Sequence, residues 1–257
     1  MKYEAIFVDL DRTLLRNDKS ISEYTVSVLK KCKDLGIKVI VASARPLRNV
    51  VYYDSVIGFD ALVVSNGARI IKDNESFAYP ISYESGSKVI DLVIDNPDLM
   101  FTLETGQEAF SNRKVDYFDT IISDDLYSIL KDEGSLKMVV AIKDENTFDM
   151  VRGCLDDDVY CSIANKLVIQ IMNKNATKWN GVSKVIDMFG FDVSKCIYFG
   201  DDFDDVKPID KCGVGVAMDN AIDECKEVCN YVCGTNEEDG VARFIDEFIF
   251  GEGLWNY

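Results

Sequence analysis

The sequence predicts an α/β fold: a doubly wound, parallel, Rossmann-like sheet with an inserted α+β domain. Short β-branched runs alternate with segments of helical period through the first third of the 257 residues and again towards the end. The stretch between these parts has longer loops and mixed strands. One core interrupted by an insertion explains both textures, with the core at 1–81 and 173–257 and the insertion at 82–172.

Each core element is predicted from its pattern of apolar residues. In the helix at about 23–35, apolar positions recur every third residue, Ser22 is a suitable N-cap and Gly36 follows the last turn. The strands are short buried runs bounded by turn residues. In chain order we predict a strand at 5–8, the helix at 23–35, a strand at 37–42, a helix ending near Gly58, a strand at 61–64, a hairpin at 69–71 and 76–79, a helix at 177–189, strands at 196–199, 214–217 and 231–233 with helices between them, and a final helix after Gly240.

The insertion is predicted as mixed strands around two helical stretches. It lacks the regular strand–helix alternation of the core, so we expect a second unit of α+β type. Its strand-like runs lie near 100–104, 136–143, 160–164 and 167–172.

Charge and composition exclude several partners and chemistries. Against 28 Lys and Arg stand 45 Asp and Glu, and the resulting charge of −17 would repel nucleic acid and anionic membranes. With 0 His, Ser–His or Cys–His catalysis and His-bound zinc are excluded. The 8 Cys are scattered through apolar stretches, and every apolar run is far shorter than the ~20 residues of a membrane span. We therefore expect a cytoplasmic protein with reduced thiols and no membrane partner.

Polar residues follow the strands of the core where these strands end. Parallel strands end at the same edge of a sheet, and ligands of doubly wound folds bind at that edge. We therefore expect side chains from separate parts of the chain to meet there. Together with a lysine at the start of the helix after the insertion, they are Asp9, Asp11, Ser43, Lys178, Asp201 and Asp205.

Taken singly, each residue also has an ordinary structural explanation. Asp-x-Asp-x-Thr is a common turn, Ser43 is a suitable N-cap, Lys178 is a surface charge and the acidic run 201–205 suits a helix N-terminus. Taken together, their chemistry is complementary, since carboxylate oxygens suit Mg²⁺ whereas a hydroxyl and an ammonium group suit phosphate. Three carboxylates, one lysine and one Mg²⁺ leave the site near neutral, so a phosphate dianion can enter. The set predicts a phosphoryl-transfer site.

Several short motifs stand at these strand ends and nearby. They are F-V-D-L-D-R-T-L-L at 7–15, A-S-A-R-P at 42–46, S-N-G-A at 65–68, Lys178 with Gly181, Gly200-Asp201 with Asp205, V-A-M-D-N-A at 216–221 and D-G-V-A at 239–242. In order and context they resemble the haloacid dehalogenase-like (HAD) hydrolase superfamily, and within it the Cof-type phosphatases with a large α+β cap of C2 type. The resemblance spans nearly the whole chain, with the cap matched only in position and size.

The resemblance implies a Mg²⁺-dependent phosphatase that acts on a small phosphorylated metabolite through an aspartyl-phosphate. Asp9 would attack phosphorus, and Asp11 would protonate the leaving oxygen and then activate water. The Mg²⁺ ligands would be Asp9, Asp201, the Asp11 carbonyl oxygen and, directly or in an outer shell, Asp205. The phosphate-binding groups would be Ser43, Lys178 and the backbone amides of Leu10 and Ala44.

Three positions depart from the pattern of the family. Arg12 and Ala44 stand where Gly is usual, and Asp204 stands where Asn is usual. Arg12 is a candidate substrate contact, as is Arg45, for which a structural ion pair is the alternative. Asp204 is a third candidate contact at the same edge. Its carboxylate would either turn into solvent or pair with Lys178. We expect the pairing, which would weaken phosphate binding.

Two other functions fit the same residues. A sugar phosphomutase of the same superfamily would share the nucleophile and the acid but return the phosphoryl group to its substrate. A non-catalytic phospho-acceptor module of receiver type also groups acids, Ser or Thr and Lys at such an edge. It has neither the second acid nor a cap.

Overall fold

In the computed structural model, which describes residues 3–116, 119–164 and 166–251, the chain forms two units. The first comprises the described residues of Met1–Ser76 and Thr177–Tyr257, and the second those of Phe77–Ala176. The predicted boundaries of the insertion, 82 and 172, lie inside this second unit. The first unit is therefore built from two separate stretches of sequence.

Strands mostly alternate with helices in both stretches of the first unit. In the second unit, which lies between these stretches in the sequence, strands and helices follow a mixed order. In chain order they are β1 (Ala5–Val8), α1 (Glu23–Asp34), β2 (Lys38–Ala42), α2 (Val51–Ile57), β3 (Ala61–Val64), β4 (Arg69–Lys72), β5 (Glu75–Ala78), α3 (Tyr83–Asp95), β6 (Phe101–Glu104), β7 (Ala109–Ser111), β8 (Ile121–Ile122), α4 (Leu126–Glu133), β9 (Lys137–Ala141), α5 (Thr147–Cys154), β10 (Val159–Ala164), β11 (Val168–Asn173), α6 (Lys178–Phe189), β12 (Cys196–Gly200), α7 (Phe203–Lys211), β13 (Val214–Met218), α8 (Asp223–Val228), β14 (Tyr231–Cys233) and α9 (Gly240–Ile245).

The main sheet has the strand order β14-β13-β12-β1-β2-β3-β4-β5. The strands from β14 to β3 pair in parallel, and β4 pairs antiparallel with β3. The chain adds β2 and β3 on one side of β1 before the insertion, and β12 to β14 on the other side after it. This reversal beside β1 is the topological switch point at which doubly wound sheets bind ligands. The predicted α/β fold is confirmed.

Local sequence signals explain the central strands and the helix starts. β1 and β12 are buried along their whole length, as expected of parallel strands covered on both faces. Ser22 caps α1 by accepting a hydrogen bond from the Thr25 N–H, as predicted, and Thr177 caps α6 by accepting one from the Asn180 N–H. All 8 Cys are free thiols.

The second unit has its own sheet and its own apolar core. The strand order is β10-β11-β9-β6-β7-β8, and its pairs are antiparallel apart from the parallel pair β7–β8. Leu103, Met138 and Val140 of the central strands belong to one buried cluster with Ile90 of α3. This is the mixed α+β texture predicted for the insertion. Across the described residues, we find no helix with the length and apolar composition needed to span a membrane.

Candidate active site

Asp9 and Asp201 come together because their strands are neighbours in the sheet. β1 and β12 are parallel and in register, with Val8 opposite Phe199. The Asp9 N–H continues this ladder by donating to the Phe199 carbonyl oxygen over 3.0 Å. Both carboxylates are buried at the carboxyl edge of the sheet, beside the switch point.

Lys178 reaches the same edge through a close contact between two loops. Gly67, after β3, has a φ of +86°, and a Cβ atom there would lie 2.1 Å from the Thr177 carbonyl oxygen. Only glycine allows this approach, which brings the N-terminus of α6 against the loop. The buried Lys178 Nζ donates to Asp9 Oδ1 over 2.8 Å and to Asp205 Oδ1 over 2.7 Å. Lys178 is thus a buried counter-ion and not a surface charge.

Asp205 accepts four hydrogen bonds. Its Oδ1 accepts from Lys178 and from the Tyr198 hydroxyl, the latter over 2.6 Å. Its Oδ2 accepts from the backbone N–H groups of Asp201 and Asp202 over 3.1 and 3.2 Å. Since a carboxylate has about four acceptor positions, Asp205 is already saturated by protein groups. Its arrangement favours the outer-shell alternative over direct metal ligation.

Asp201 is oriented by the loop that follows β1. The Thr13 hydroxyl donates to Asp201 Oδ1 over 2.9 Å, and this bond is buried. Arg12 Nε lies 3.7 Å from Asp201 Oδ2, with the Arg12 side chain half-exposed. Asp201 Oδ1 is therefore held by a neutral hydroxyl, while Oδ2 faces the Arg12 guanidinium without a close hydrogen bond to it.

The donor set fits a divalent cation. Asp9, Asp201 and Asp205 each place one oxygen within 4.8 Å of the others. These three buried carboxylates stand against one buried ammonium group, Lys178, and the half-exposed guanidinium of Arg12, so negative charge is in excess. Burial raises the pKa of Asp9 well above its usual value, and burial together with the charge of Asp205 raises the pKa of Asp201 to about 6. A hard cation such as Mg²⁺ among these oxygens would reverse both shifts.

Asp11 lies in a different environment, half-buried between two cations. Arg45 donates from Nε and Nη2 to its two oxygens over 2.6 and 2.7 Å, and Lys19 Nζ donates over 2.6 Å. The Tyr53 hydroxyl lies 3.3 Å from Arg45 Nη1. Burial raises the pKa of Asp11, but the hydrogen bonds from Arg45 and Lys19 outweigh it and lower the pKa to about 2. The structure thus realises the ion-pair alternative for Arg45.

The remaining predicted phosphate-binding residues lie in turns at the same edge. Ser43 is buried after β2, and its Oγ accepts from the Arg45 N–H over 3.2 Å, a local turn bond that caps no helix, because the next helical turn begins only at Leu47. Ala44 follows in the same turn. The Leu10 carbonyl oxygen accepts from the Thr13 and Leu15 N–H groups, which curls the chain after Asp9. Their contacts to phosphate stay predictions.

The predicted pairing of Asp204 with Lys178 is wrong. Asn66 Nδ2 donates to Asp204 Oδ2, while the carboxylate of α7 that binds Lys178 is Asp205. Successive residues of a helix point about 100° apart, so Asp204 and Asp205 face different surroundings. Asp205 points into the sheet and Asp204 is exposed.

Arg12 occupies a backbone conformation that suits glycine. Its φ is +61°, a left-handed value that costs a non-glycine residue on the order of 1 kcal/mol. Arg12 Nη2 donates to the Asn220 carbonyl oxygen over 3.0 Å, and Asn220 Nδ2 donates back to the Arg12 carbonyl oxygen over 2.8 Å. The turn expected for glycine is therefore kept, and the reciprocal bonds tie it to the end of β13.

Sequence reasoning assigned no role to several residues that contact the site. Thr13 stood in the quoted motif, two positions after Asp11, where the motif itself was the signal. Tyr198 is a polar residue within a buried strand, two positions before Gly200 on the same strand face. Asn66 belongs to the S-N-G-A motif at 65–68, which was its signal. Lys19 reaches Asp11 through loop conformation, for which the sequence holds no local signal.

A doubly wound sheet that gathers buried carboxylates, a lysine and a serine at its switch point is built for phosphoryl transfer. Comparison with known proteins identifies the family within this class.

The family model of haloacid dehalogenase-like hydrolases matches residues 6–245. A Bacillus subtilis protein named 5-amino-6-(5-phospho-D-ribitylamino)uracil phosphatase is 29% identical over 264 residues, which cover 95% of this chain and 97% of that protein. A haloacid dehalogenase-like hydrolase structure from Bacteroides thetaiotaomicron has a TM-score of 0.86 at 22% identity, covering 96% and 99% of the two chains. A sugar phosphatase of HAD subclass IIB has a TM-score of 0.81 at 19% identity, covering 95% and 98%.

The chain belongs to the haloacid dehalogenase-like hydrolase family, which confirms the resemblance drawn from its motifs. It is a phosphatase that acts on phosphorylated substrates. This assignment sets aside the receiver-type alternative, because that module is not a hydrolase.

Proposed function

We propose that the protein is a Mg²⁺-dependent phosphatase that hydrolyses a small phosphorylated metabolite through an aspartyl-phosphate intermediate. The observation that carries this proposal is the buried chain from Asp9 through Lys178 to Asp205, beside Asp201. Asp9 is held by a fixed ammonium group at the sheet edge where such folds bind ligands. A carboxylate in this setting is oriented for attack on phosphorus, and the lysine offsets charge on the phosphate oxygens.

Phosphate binding falls to groups around this chain. Two N–H groups of the Lys178 ammonium donate to carboxylates, and the ammonium carries a third that can bind a phosphate oxygen. The Ser43 hydroxyl and the amides of Leu10 and Ala44 are the other phosphate contacts that we propose. Thr13 acts indirectly, because its bond to Asp201 holds that carboxylate in place.

Asp9, Asp201 and the Asp11 carbonyl oxygen would hold Mg²⁺, with Asp205 in the outer shell because its acceptor positions are filled. When bound, the ion supplies positive charge against the carboxylates and the phosphate. The side chains of Thr13 and Lys178 keep the two liganding carboxylates in their rotamers.

Asp11 is the proposed acid and base. With a pKa of about 2 it is ionised at neutral pH, which suits the base that activates water. To act first as an acid, it must exchange at least one bond to Arg45 or Lys19 for a bond to the leaving oxygen. In the proposed mechanism, Arg45 and Lys19 therefore influence when Asp11 can take up a proton and when it can give one to the leaving oxygen.

Substrate selection is assigned to the inserted segment 82–172, the proposed cap. Two relatives carry names that specify a ribitylaminouracil phosphate and a sugar phosphate as substrates. Both compound classes are therefore the first to test. We place the protein in the cytoplasm, since its 8 Cys are free thiols.

The test is a screen for inorganic phosphate release from sugar phosphates, 5-amino-6-(5-phospho-D-ribitylamino)uracil, flavin and pyridoxal phosphates and nucleotides. We expect release in Mg²⁺ and none in excess chelator, with the Asp9→Asn variant as the inactive control. Full activity in chelator would remove the metal from the proposal. Conversion of a sugar phosphate to its isomer without phosphate release would identify the phosphomutase alternative instead.

A further inference from the structure

A tyrosine hydroxyl lies at the far end of the buried ion-pair chain. Tyr198 is the middle residue of β12 and is 0% exposed. Its hydroxyl donates over 2.6 Å to Asp205 Oδ1, the same oxygen that accepts from Lys178 over 2.7 Å. Lys178 in turn donates to Asp9 over 2.8 Å. Four side chains from separate elements therefore form one continuous hydrogen-bonded chain that ends at the proposed nucleophile.

The strand places this hydroxyl through its two-residue period. Tyr198 and Gly200 lie on the same face of β12, and the Asp205 side chain packs beside Gly200. A Cβ atom at position 200 would lie 2.4 Å from the Asp205 Cβ, so a larger residue would displace the carboxylate. A phenol in a fully buried strand costs free energy unless it is hydrogen-bonded. Here its acceptor is an anion in the site.

We infer that Tyr198 is a positioning residue that sets how Lys178 is shared between Asp205 and Asp9. Asp205 Oδ2 is occupied by two backbone N–H groups, and among the described residues the phenol and the ammonium group are the donors to Oδ1. Without the phenol, Lys178 would be the single donor to a buried anionic oxygen. The ammonium would then be drawn towards Asp205 and away from Asp9 and an incoming phosphate. The inference rests on the proposed function, because it requires Lys178 to bind phosphate.

Tyr198→Phe removes the hydroxyl and keeps the ring. We expect the KM for a phosphomonoester and the inhibition constant of inorganic phosphate to rise together by roughly tenfold, the scale of one charge-assisted hydrogen bond. We expect kcat to stay within about twofold, because ground state and transition state lose the same interaction. A lower melting temperature and lower kcat with unchanged KM would mean a purely structural role and would overturn the inference.

The matched control is Tyr24→Phe. The Tyr24 hydroxyl also donates to a carboxylate, Asp246 Oδ2, over 3.3 Å, but on the surface of the first unit and outside the site. Tyr24→Phe removes the same hydroxyl from the same kind of bond. Because that bond lies outside the site, KM and the phosphate inhibition constant should not change. Equal shifts in both variants would contradict the assignment.

Action through Asp205 is tested with a double-mutant cycle. In an Asp205→Asn background the anionic oxygen is gone, so adding Tyr198→Phe should leave KM within about twofold of the Asp205→Asn single variant. A rise in KM of roughly tenfold on adding Tyr198→Phe to Asp205→Asn, as large as in the wild-type background, would show that Tyr198 does not act through Asp205.

Fluorine NMR of the wild-type protein labelled with 3-fluorotyrosine needs neither turnover nor a folded Tyr198→Phe variant. The Tyr198 resonance is identified by its shift in Asp205→Asn, and it should also shift when inorganic phosphate is added with Mg²⁺. Phosphate binding without a change in that resonance overturns the inference. If the wild type neither binds nor releases phosphate, the proposed function fails. A normal wild type with an unchanged Tyr198→Phe variant contradicts only the role of Tyr198.

Discussion

Asp9 and Asp11 stand two residues apart, yet they lie in opposite environments. Asp9 is buried among carboxylates with one ammonium group, and burial raises its pKa well above the usual value. Asp11 is half-buried between Arg45 and Lys19, and its pKa falls to about 2. The partners of Asp9 and Asp11 come from distant positions, since Lys178 is 169 residues from Asp9 and Arg45 is 34 from Asp11.

The neighbouring side chains, and not the motif, give these two identical carboxylates separate chemistry. An excess of buried negative charge makes the Asp9 cluster a place for a cation, whereas the Asp11 cluster already holds its own cations. A divalent ion would reverse the shift at Asp9 and leave the ion pairs of Asp11 intact. Separate roles for two nearby carboxylates require environments that differ in this way.

The largest expected effect comes from removing one carboxylate of the pair at a time. Asp9→Asn should keep the fold and lose turnover by at least about 10³-fold, because an amide cannot attack phosphorus. Asp11→Asn should slow turnover as well but still form phosphoenzyme from an ester with a good leaving group. Steady-state rates and rapid-quench detection of phosphoenzyme make the comparison. An Asp9→Asn variant near the wild-type rate would remove Asp9 as the nucleophile.

The second effect compares the lysines of the two clusters. Lys178→Met leaves buried carboxylates without their counter-ion and should lower the free energy of unfolding by about 3–5 kcal/mol at pH 7. Lys19→Met removes an exposed partner of Asp11 and should cost less than about 1 kcal/mol. Urea unfolding of both variants without added metal measures the difference. If both variants lost the same free energy of unfolding, the burial of Lys178 would not be what distinguishes the two lysines.

The third effect is the pH dependence of the ion pairs of Asp11. Its pKa in the folded protein is depressed from the usual 3.8 to about 2, so the stabilisation is present above pH 4 and is lost as pH falls towards 2. Because the Asp11 side chain is 39% exposed, solvent weakens its ion pairs. The free energy of unfolding of the wild type should therefore exceed that of Asp11→Asn by on the order of 1 kcal/mol at pH 7. Urea unfolding over this pH range should show the gap closing. A gap that stays constant down to pH 2 would mean that the charge of Asp11 is not its source.

The smallest expected effect concerns Asp204, next to the residue that binds Lys178. Since Asp204 accepts from Asn66 and Asp205 holds Lys178, Asp204→Asn should change the KM for a phosphate ester by less than about twofold. A several-fold fall in KM for Asp204→Asn in steady-state kinetics would show that Asp204 does compete with phosphate for Lys178.

The fold class and the edge at which the polar residues gather can both be predicted from the sequence. Buried parallel strands need continuous apolar runs, and the runs at 5–8, 61–64 and 196–199 are legible without tertiary information. Parallel strands also end at one edge, so Asp9 and Asp201 had to be neighbours once β1 and β12 were adjacent.

Which partner each charge takes depends on how the elements pack, and the sequence does not show it. Neighbouring carboxylates have the same local pattern, and the rotation of α7 against β12 is what turns Asp205 inward and leaves Asp204 exposed. The same packing brings Tyr198 to Asp205, and a loop conformation brings Lys19 to Asp11. Charges select partners by distance and burial, and both quantities exist only after the separate elements have packed.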